Sequence, residues 1–142
     1  MSVYELEPEV PGRAGPETLW DTSERPPRLS NVSLEFDGWL GDDLIETYPL
    51  FAVTDRLGAA LLEAGVRGAS FAPVLATKSE QFADLRPDTQ IGAWSLMTVT
   101  GHEGAGDDAW LNSRSVLVVS QRFWNVVSRF QVANCEAVEH SS

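Results

Sequence analysis

The chain has 142 residues, 43% hydrophobic and 22% charged, with a formal net charge of −11. That length suits one domain able to bury roughly two-thirds of its unfolded surface. A surface this acidic repels phosphate backbones and anionic lipid heads, so nucleic acid and membrane are expected not to be partners; another protein, a basic one if charge decides, fits better. No apolar run approaches the ~18 residues that a bilayer span needs, and the acidic N-terminus lacks the apolar core of a signal peptide, so a cytoplasmic location is expected. Cys135 is the sole cysteine. An intramolecular disulfide and a cysteine-based metal site are therefore ruled out, in keeping with a reducing compartment. No cofactor is expected.

The charge is uneven. Residues 1–50 hold eleven acids against three bases, and residues 51–142 hold ten against seven, so an electrostatic face should lie on the N-terminal part. Residues 1–29 contain Pro8, Pro11, Pro16, Pro26 and Pro27. Proline fixes φ and lacks a backbone donor, which predicts an irregular arm over 1–29, packed on or tethered to a body formed by 30–142. Within that arm, residues 2–6 suit a short edge strand, and Leu19 and Trp20 are the residues expected to pin it down. Residues 31–36 alternate, with Val32, Leu34 and Phe36 on one side, the period of a half-buried strand. A short helical turn is predicted within 39–46, opened by Asp42 or Asp43.

The most informative stretch comes next, and the chain contains it twice. Phe51-Ala52-Val53-Thr54-Asp55-Arg56-Leu57 is echoed by Leu117-Val118-Val119-Ser120-Gln121-Arg122-Phe123. Each copy is an apolar strand, a hydroxyl residue placed to cap a helix, and an Arg in the first turn. The first helix carries Leu57, Ala60, Leu61 and Ala64 as one stripe, the second Phe123, Val126, Val127 and Phe130. Gly65 closes the first helix. Returning strands are predicted over 69–76, where Pro73 suggests an edge or bulge, and over 134–138. Between the copies lie a short helix over 78–85, with Phe82 and Leu85 inward, a central strand over 93–100 and a Gly-rich loop over 101–108. The repeats thus span about 41–76 and 106–138. The fold expected is α+β: a mixed sheet of about six strands with two to three helices on one face, built on two related strand–helix–strand units.

Gly41-Asp42-Asp43 and Gly106-Asp107-Asp108 open the two units, with Trp39 and Trp110 close by. Asp beside Gly is what turns and caps use; the same carboxylates could instead form an acidic contact face or, less readily, take a hard cation. The spacing is not that of a calcium loop, and no metal site is expected. Arg56 and Arg122 suit ion pairs to these aspartates better than an anion site. Five Trp residues are many for this length, and Trp combines apolar area with a donor, as interfaces require. Trp39, Asp42, Asp43, Asp107, Asp108 and Trp110 are therefore the candidate partner-binding residues. His102 and His140 are expected to be solvated and Cys135 to be an inert thiol, and no Gly-x-Ser-x-Gly elbow occurs. No catalytic residue is assigned.

The first copy, from Phe51 to Leu57 with Leu61-Leu62, Gly65 and Phe71-Ala72-Pro73-Val74, resembles a family of small bacterial immunity proteins tied to polymorphic toxins and secretion systems. Tyr4-Glu5-Leu6 is a further echo. The resemblance implies a non-enzymatic protein that neutralises a toxin by protein–protein contact. Two alternatives stand beside it: a small enzyme or ligand-binding accessory protein with a pocket between the two units, and a homodimer formed through an apolar face.

Overall fold

The computed structural model describes residues 2–141. Strands β1 (Ser2–Glu7), β2 (Gly12–Ala14), β3 (Leu19–Asp21), β4 (Arg28–Ser30) and β5 (Ser33–Phe36) precede the first unit. That unit comprises β6 (Leu44–Thr47), β7 (Leu50–Thr54), α1 (Asp55–Glu63) and β8 (Ala69–Lys78), followed by α2 (Glu80–Leu85) and β9 (Trp94–Val99). The second comprises β10 (Ala109–Leu111), β11 (Leu117–Ser120), α3 (Gln121–Val127) and β12 (Glu136–Ser141).

A mixed sheet of six strands runs β2-β5-β8-β9-β7-β6, parallel only where β5 meets β8. Together with the three helices it makes the protein α+β, as the sequence pattern predicts. Beside it stands a four-stranded sheet, β10-β11-β1-β12, which the pattern does not foretell. The two units are nevertheless closely matched. Each has a hairpin, a helix, and a returning strand separated from the hairpin by one inserted strand: β9 between β7 and β8, β1 between β11 and β12. Both insertions are antiparallel to both neighbours, and their registers correspond: Thr54 faces Trp94 where Ser120 faces Val3, and Ser70 faces Thr98 where Glu136 faces Glu7.

The first unit is therefore continuous from β6 to β9, whereas the second is completed by the beginning of the chain. Ser2 pairs with Ser141. Residues 2–7 are not an edge strand on a loose arm but the interior strand of a sheet, with Leu6 fully buried. Prolines do not prevent this, because the first of them, Pro8, lies just past the strand end.

The local signals in both units act as anticipated. The hydroxyls of Thr54 and Ser120 accept from the N–H groups of Leu57 and Phe123, capping α1 and α3. Gly65 has φ +69°, the left-handed conformation that ends α1 without a Cβ penalty. Leu57 and Leu61 of α1 meet Phe123, Val126 and Val127 of α3 in one core, with Leu6, Leu44, Val53, Met97, Leu117 and Val119. Each fully buried side chain of this kind contributes about 1.5–3 kcal/mol. A second core holds Leu34, Phe36, Ile45, Ala52, Phe82, Ile91 and Trp94. Since neighbours on β7 point to opposite faces, α1 covers Phe51 and Val53 while α2, through Phe82, sits on the side of Ala52. The helices thus lie on both faces of the large sheet, not on one.

Three further expectations are corrected. Residues 44–47 form β6, not a helical turn, because hairpin pairing with β7 satisfies their backbone and buries Leu44 and Ile45 on opposite faces. Leu85 is exposed, since α2 ends there and only Phe82 reaches the core. Leu19 and Trp20 do not pin an arm; they stand exposed on a separate two-stranded ribbon, β3-β4. Pro73 lies where β8 is paired to β9 alone, just before β5 joins at Leu75, so its missing donor falls on a free edge.

Candidate functional site

The aspartate pairs have well-defined places, and most of them are internal. Asp43 is buried, and its Oδ1 accepts from the Thr54 hydroxyl at 2.7 Å and from Arg56 Nε at 2.9 Å. Its Oδ2 accepts from the backbone N–H of Gln131 at 2.8 Å, and its own N–H donates to Gln131 O at 2.7 Å. Asp108 repeats the arrangement: Oδ1 accepts from the Ser120 hydroxyl at 2.7 Å, Oδ2 from Arg67 N–H at 2.8 Å, and its N–H donates to Arg67 O at 2.8 Å. Arg122 lies 3.8 Å from Asp108 and also donates to Gly65 O.

The partners are crossed. Asp43 of the first unit grips the backbone just after α3, and Asp108 of the second grips the backbone just after α1. Each unit's aspartate thereby clasps the helix exit of the other. A buried carboxyl group is tolerated when both of its oxygens are hydrogen-bonded, which these clasps achieve. Asp42, also buried, accepts from the N–H and side-chain amide of Asn134 at 2.9 and 3.0 Å. Asp107 is half-buried and accepts from His102 N–H at 2.9 Å.

Trp110 is buried beside Asp108. Trp39 is half-buried; its indole N–H donates to Asp42 O at 2.9 Å, and its ring meets Trp94 edge-on at 5.5 Å between centroids. Of the six candidate residues, then, Asp42, Asp43, Asp108 and Trp110 are interior, and their carboxylates are engaged with backbone and hydroxyl donors of the chain itself. An exposed acidic contact face cannot be assembled from them. Among the described residues no three His, Cys, Asp or Glu side chains gather as a metal site would require.

A concave feature of the surface lies elsewhere. An open groove of about 1070 Å³ runs between the tips of the β6-β7 and β10-β11 hairpins, across the end of β1 and the start of β12. Glu7, Glu9, Asp37, Glu46 and Glu136 line it, against one cation, Arg114, which is drawn towards Glu5 at 3.4 Å. Val10, Leu40 and Tyr48 line it too, each more than half exposed. Trp39 is the only one of the six candidate residues on its wall.

The electrostatics of the groove differ from those of the clasps. Glu9 accepts from Leu40 N–H at 2.6 Å and Asp42 N–H at 3.2 Å, which ties the 37–42 loop to β1's end. Burial nevertheless holds its pKa above the ordinary carboxylate range, in spite of those two bonds and with help from Asp42. Glu46 is raised as well, by burial first and then by the negative charge of Glu7. Among the described residues neither Glu7, Glu46 nor Glu136 has an ion-pair partner. Cys135, on the same wall, has its thiol pushed up to about 12 by burial and by Asp42. A thiol so far above neutral pH is not a nucleophile.

Sequence pattern missed these residues because nothing marks them locally: Glu7, Glu46 and Glu136 come from three distant segments. The one available signal was the acid excess of residues 1–50, which supplies Glu7, Glu9, Asp37 and Glu46. His102 is exposed in its loop, and His140 of β12 lies 3.3 Å from Glu5 of β1. No helix among the described residues is long and apolar enough to cross a membrane. Comparison with protein-family models, curated proteins and solved structures gave no match.

Proposed function

We propose that the chain is a non-enzymatic, cytoplasmic bacterial binding protein of immunity type, neutralising a toxin by covering part of its surface. The observation that carries this reading is the groove: an open concavity that combines exposed Val10, Leu40 and Tyr48 with Glu7, Glu46 and Glu136, which among the described residues have no ion-pair partner. Interfaces are built from such central apolar anchors within a polar surround. Ties within its walls support the role, since Glu9 holds the 37–42 loop and Asp42 holds Asn134 at the groove, which lowers the ordering needed on association.

The test is site-specific photo-crosslinking in lysate of toxin-bearing cells, with the reactive group at Tyr48 or Leu40 and, as control, at Leu85. Capture of one protein, in stoichiometric amount, from the two groove positions and not from Leu85 supports the reading; equal capture from all three positions, or none from any, sinks it. A ligand-binding or enzymatic accessory protein is a second reading of the same groove, favoured by Glu46, whose raised pKa suits a proton donor. Saturable binding of a small metabolite that is abolished by Glu46→Gln would bring that reading forward.

A further inference from the structure

Resting on the protein-binding reading above, we infer that the groove receives an extended basic segment of its partner, in which arginine or lysine side chains alternate with apolar ones. Its volume of about 1070 Å³ lies just above the ~300–1,000 Å³ range of small-molecule pockets, and it is open to solvent. A stretch of chain fills such a shape better than an enclosed small molecule.

The sign of the charge selects the occupant. Five acidic residues line the groove against Arg114, which already has Glu5 within reach; Asp37 is paired with Arg13 and Glu9 accepts from two backbone N–H groups, while among the described residues Glu7, Glu46 and Glu136 have no ion-pair partner. Other acids of the chain have such a partner: Asp43 pairs with Arg56 and Glu35 with Arg13. Glu46 and Glu7 are placed close enough to repel each other, with no cation of the chain among the described residues between them. A guanidinium or ammonium from outside would relieve that repulsion, and a planar guanidinium would do so with paired hydrogen bonds. Anionic partners meet charge of their own sign there and are repelled by it.

The apolar side chains set the second requirement. Val10 is 67% exposed, Leu40 72% and Tyr48 56%, and all three share the groove with the carboxylates. Such a mixture cannot be satisfied by a purely basic chain. In an extended segment successive side chains point to opposite sides, so alternation of basic and apolar residues presents both kinds to a groove that carries both.

The probe is a labelled, end-blocked hexapeptide of alternating arginine and leucine, titrated with the full chain by fluorescence anisotropy at physiological salt. Hexa-arginine and a hexapeptide of alternating glutamate and leucine are the comparisons. Saturable one-to-one binding is expected, weakened about tenfold or more in the Glu7→Gln/Glu46→Gln double variant and in Leu40→Ser/Tyr48→Ser. Because burial and repulsion disfavour the charged form of Glu46, the double Gln variant should fold at least as stably as the parent, so weaker binding by it reports recognition and not unfolding. The inference is overturned if the alternating peptide does not saturate, if the double Gln variant binds it equally well, or if hexa-arginine binds as tightly. A concentration-dependent dimer that occludes the groove, seen by sedimentation and broken by Tyr48→Ser, would overturn it in favour of a second copy as the occupant. Should the peptide fail while Tyr48 crosslinking still captures one protein, the protein-binding reading stands and only the basic segment falls.

Discussion

At the scale of single residues, the aspartates show how one side chain can serve as a local signal and a long-range tie. Asp43 accepts from Thr54, Arg56 and Gln131 while almost fully buried. Its removal leaves three donors, from the β7–α1 junction and from the segment after α3, without an acceptor. Asp43→Ala should therefore lose about 3–5 kcal/mol in urea unfolding, and Asp108→Ala less, about 2–3 kcal/mol, because its Arg122 partner is farther away and its carboxylate partly reaches water. Cys135 gives a simpler expectation. With its thiol pushed up to about 12, alkylation by iodoacetamide at pH 8 should be far slower in the folded protein than in denaturant. Comparable rates in the two states would show that the thiol is not held in that environment.

At the scale of elements, β1 is the piece whose role depends most on the rest of the chain. It fills the place in the second unit that β9 fills in the first, and it pairs with β11 on one side and β12 on the other. Deleting residues 2–7 would leave those strands without the partner between them and remove Leu6 from the core. Such a truncation should show no cooperative unfolding transition. Moving the same residues behind Ser141 through a short linker should restore it, since Ser2 and Ser141 already face each other. A permuted chain that stays unfolded would count against the equivalence of the two inserted strands.

For the whole molecule the relevant quantity is how the acid excess is distributed. The clasps hold their charges with matched donors, whereas the groove leaves Glu46 half-buried beside Glu7. The folded-state pKa of Glu46 lies above the unfolded value near 4.5, so the native state holds its proton more tightly than the unfolded chain does. Stability from this group is fully present below the unfolded value and is lost as pH rises through the folded one. Glu46→Gln should accordingly raise Tm at pH 7, with the gain shrinking towards pH 4. A gain that persists unchanged at pH 4 would point to a cause other than titration. The groove thus costs stability at neutral pH, as sites shaped for a partner commonly do.

Much of this architecture could be read from the sequence because its causes are short-range. A hydroxyl followed by a helical stripe caps and starts α1 and α3; Gly65 ends α1; alternation marks 33–36; and the spacing of the two copies announces two related units. Each of these depends on residues within a turn or two of one another. What only the tertiary structure decided is which segments meet. Residues 2–6 read as an edge strand because sequence cannot reveal that β11 and β12, more than a hundred residues away, leave a gap between them. Asp42, Asp43 and Asp108 read as caps or as candidate contact residues, because the donors they accept from, Asn134, Gln131 and Arg67, belong to the opposite unit. The groove is further still from local pattern, being made where two hairpin tips and the ends of β1 and β12 come together. Local propensity acts over a few bonds, whereas burial and charge pairing are fixed only when distant strands close on each other, and the candidate site here is of the second kind.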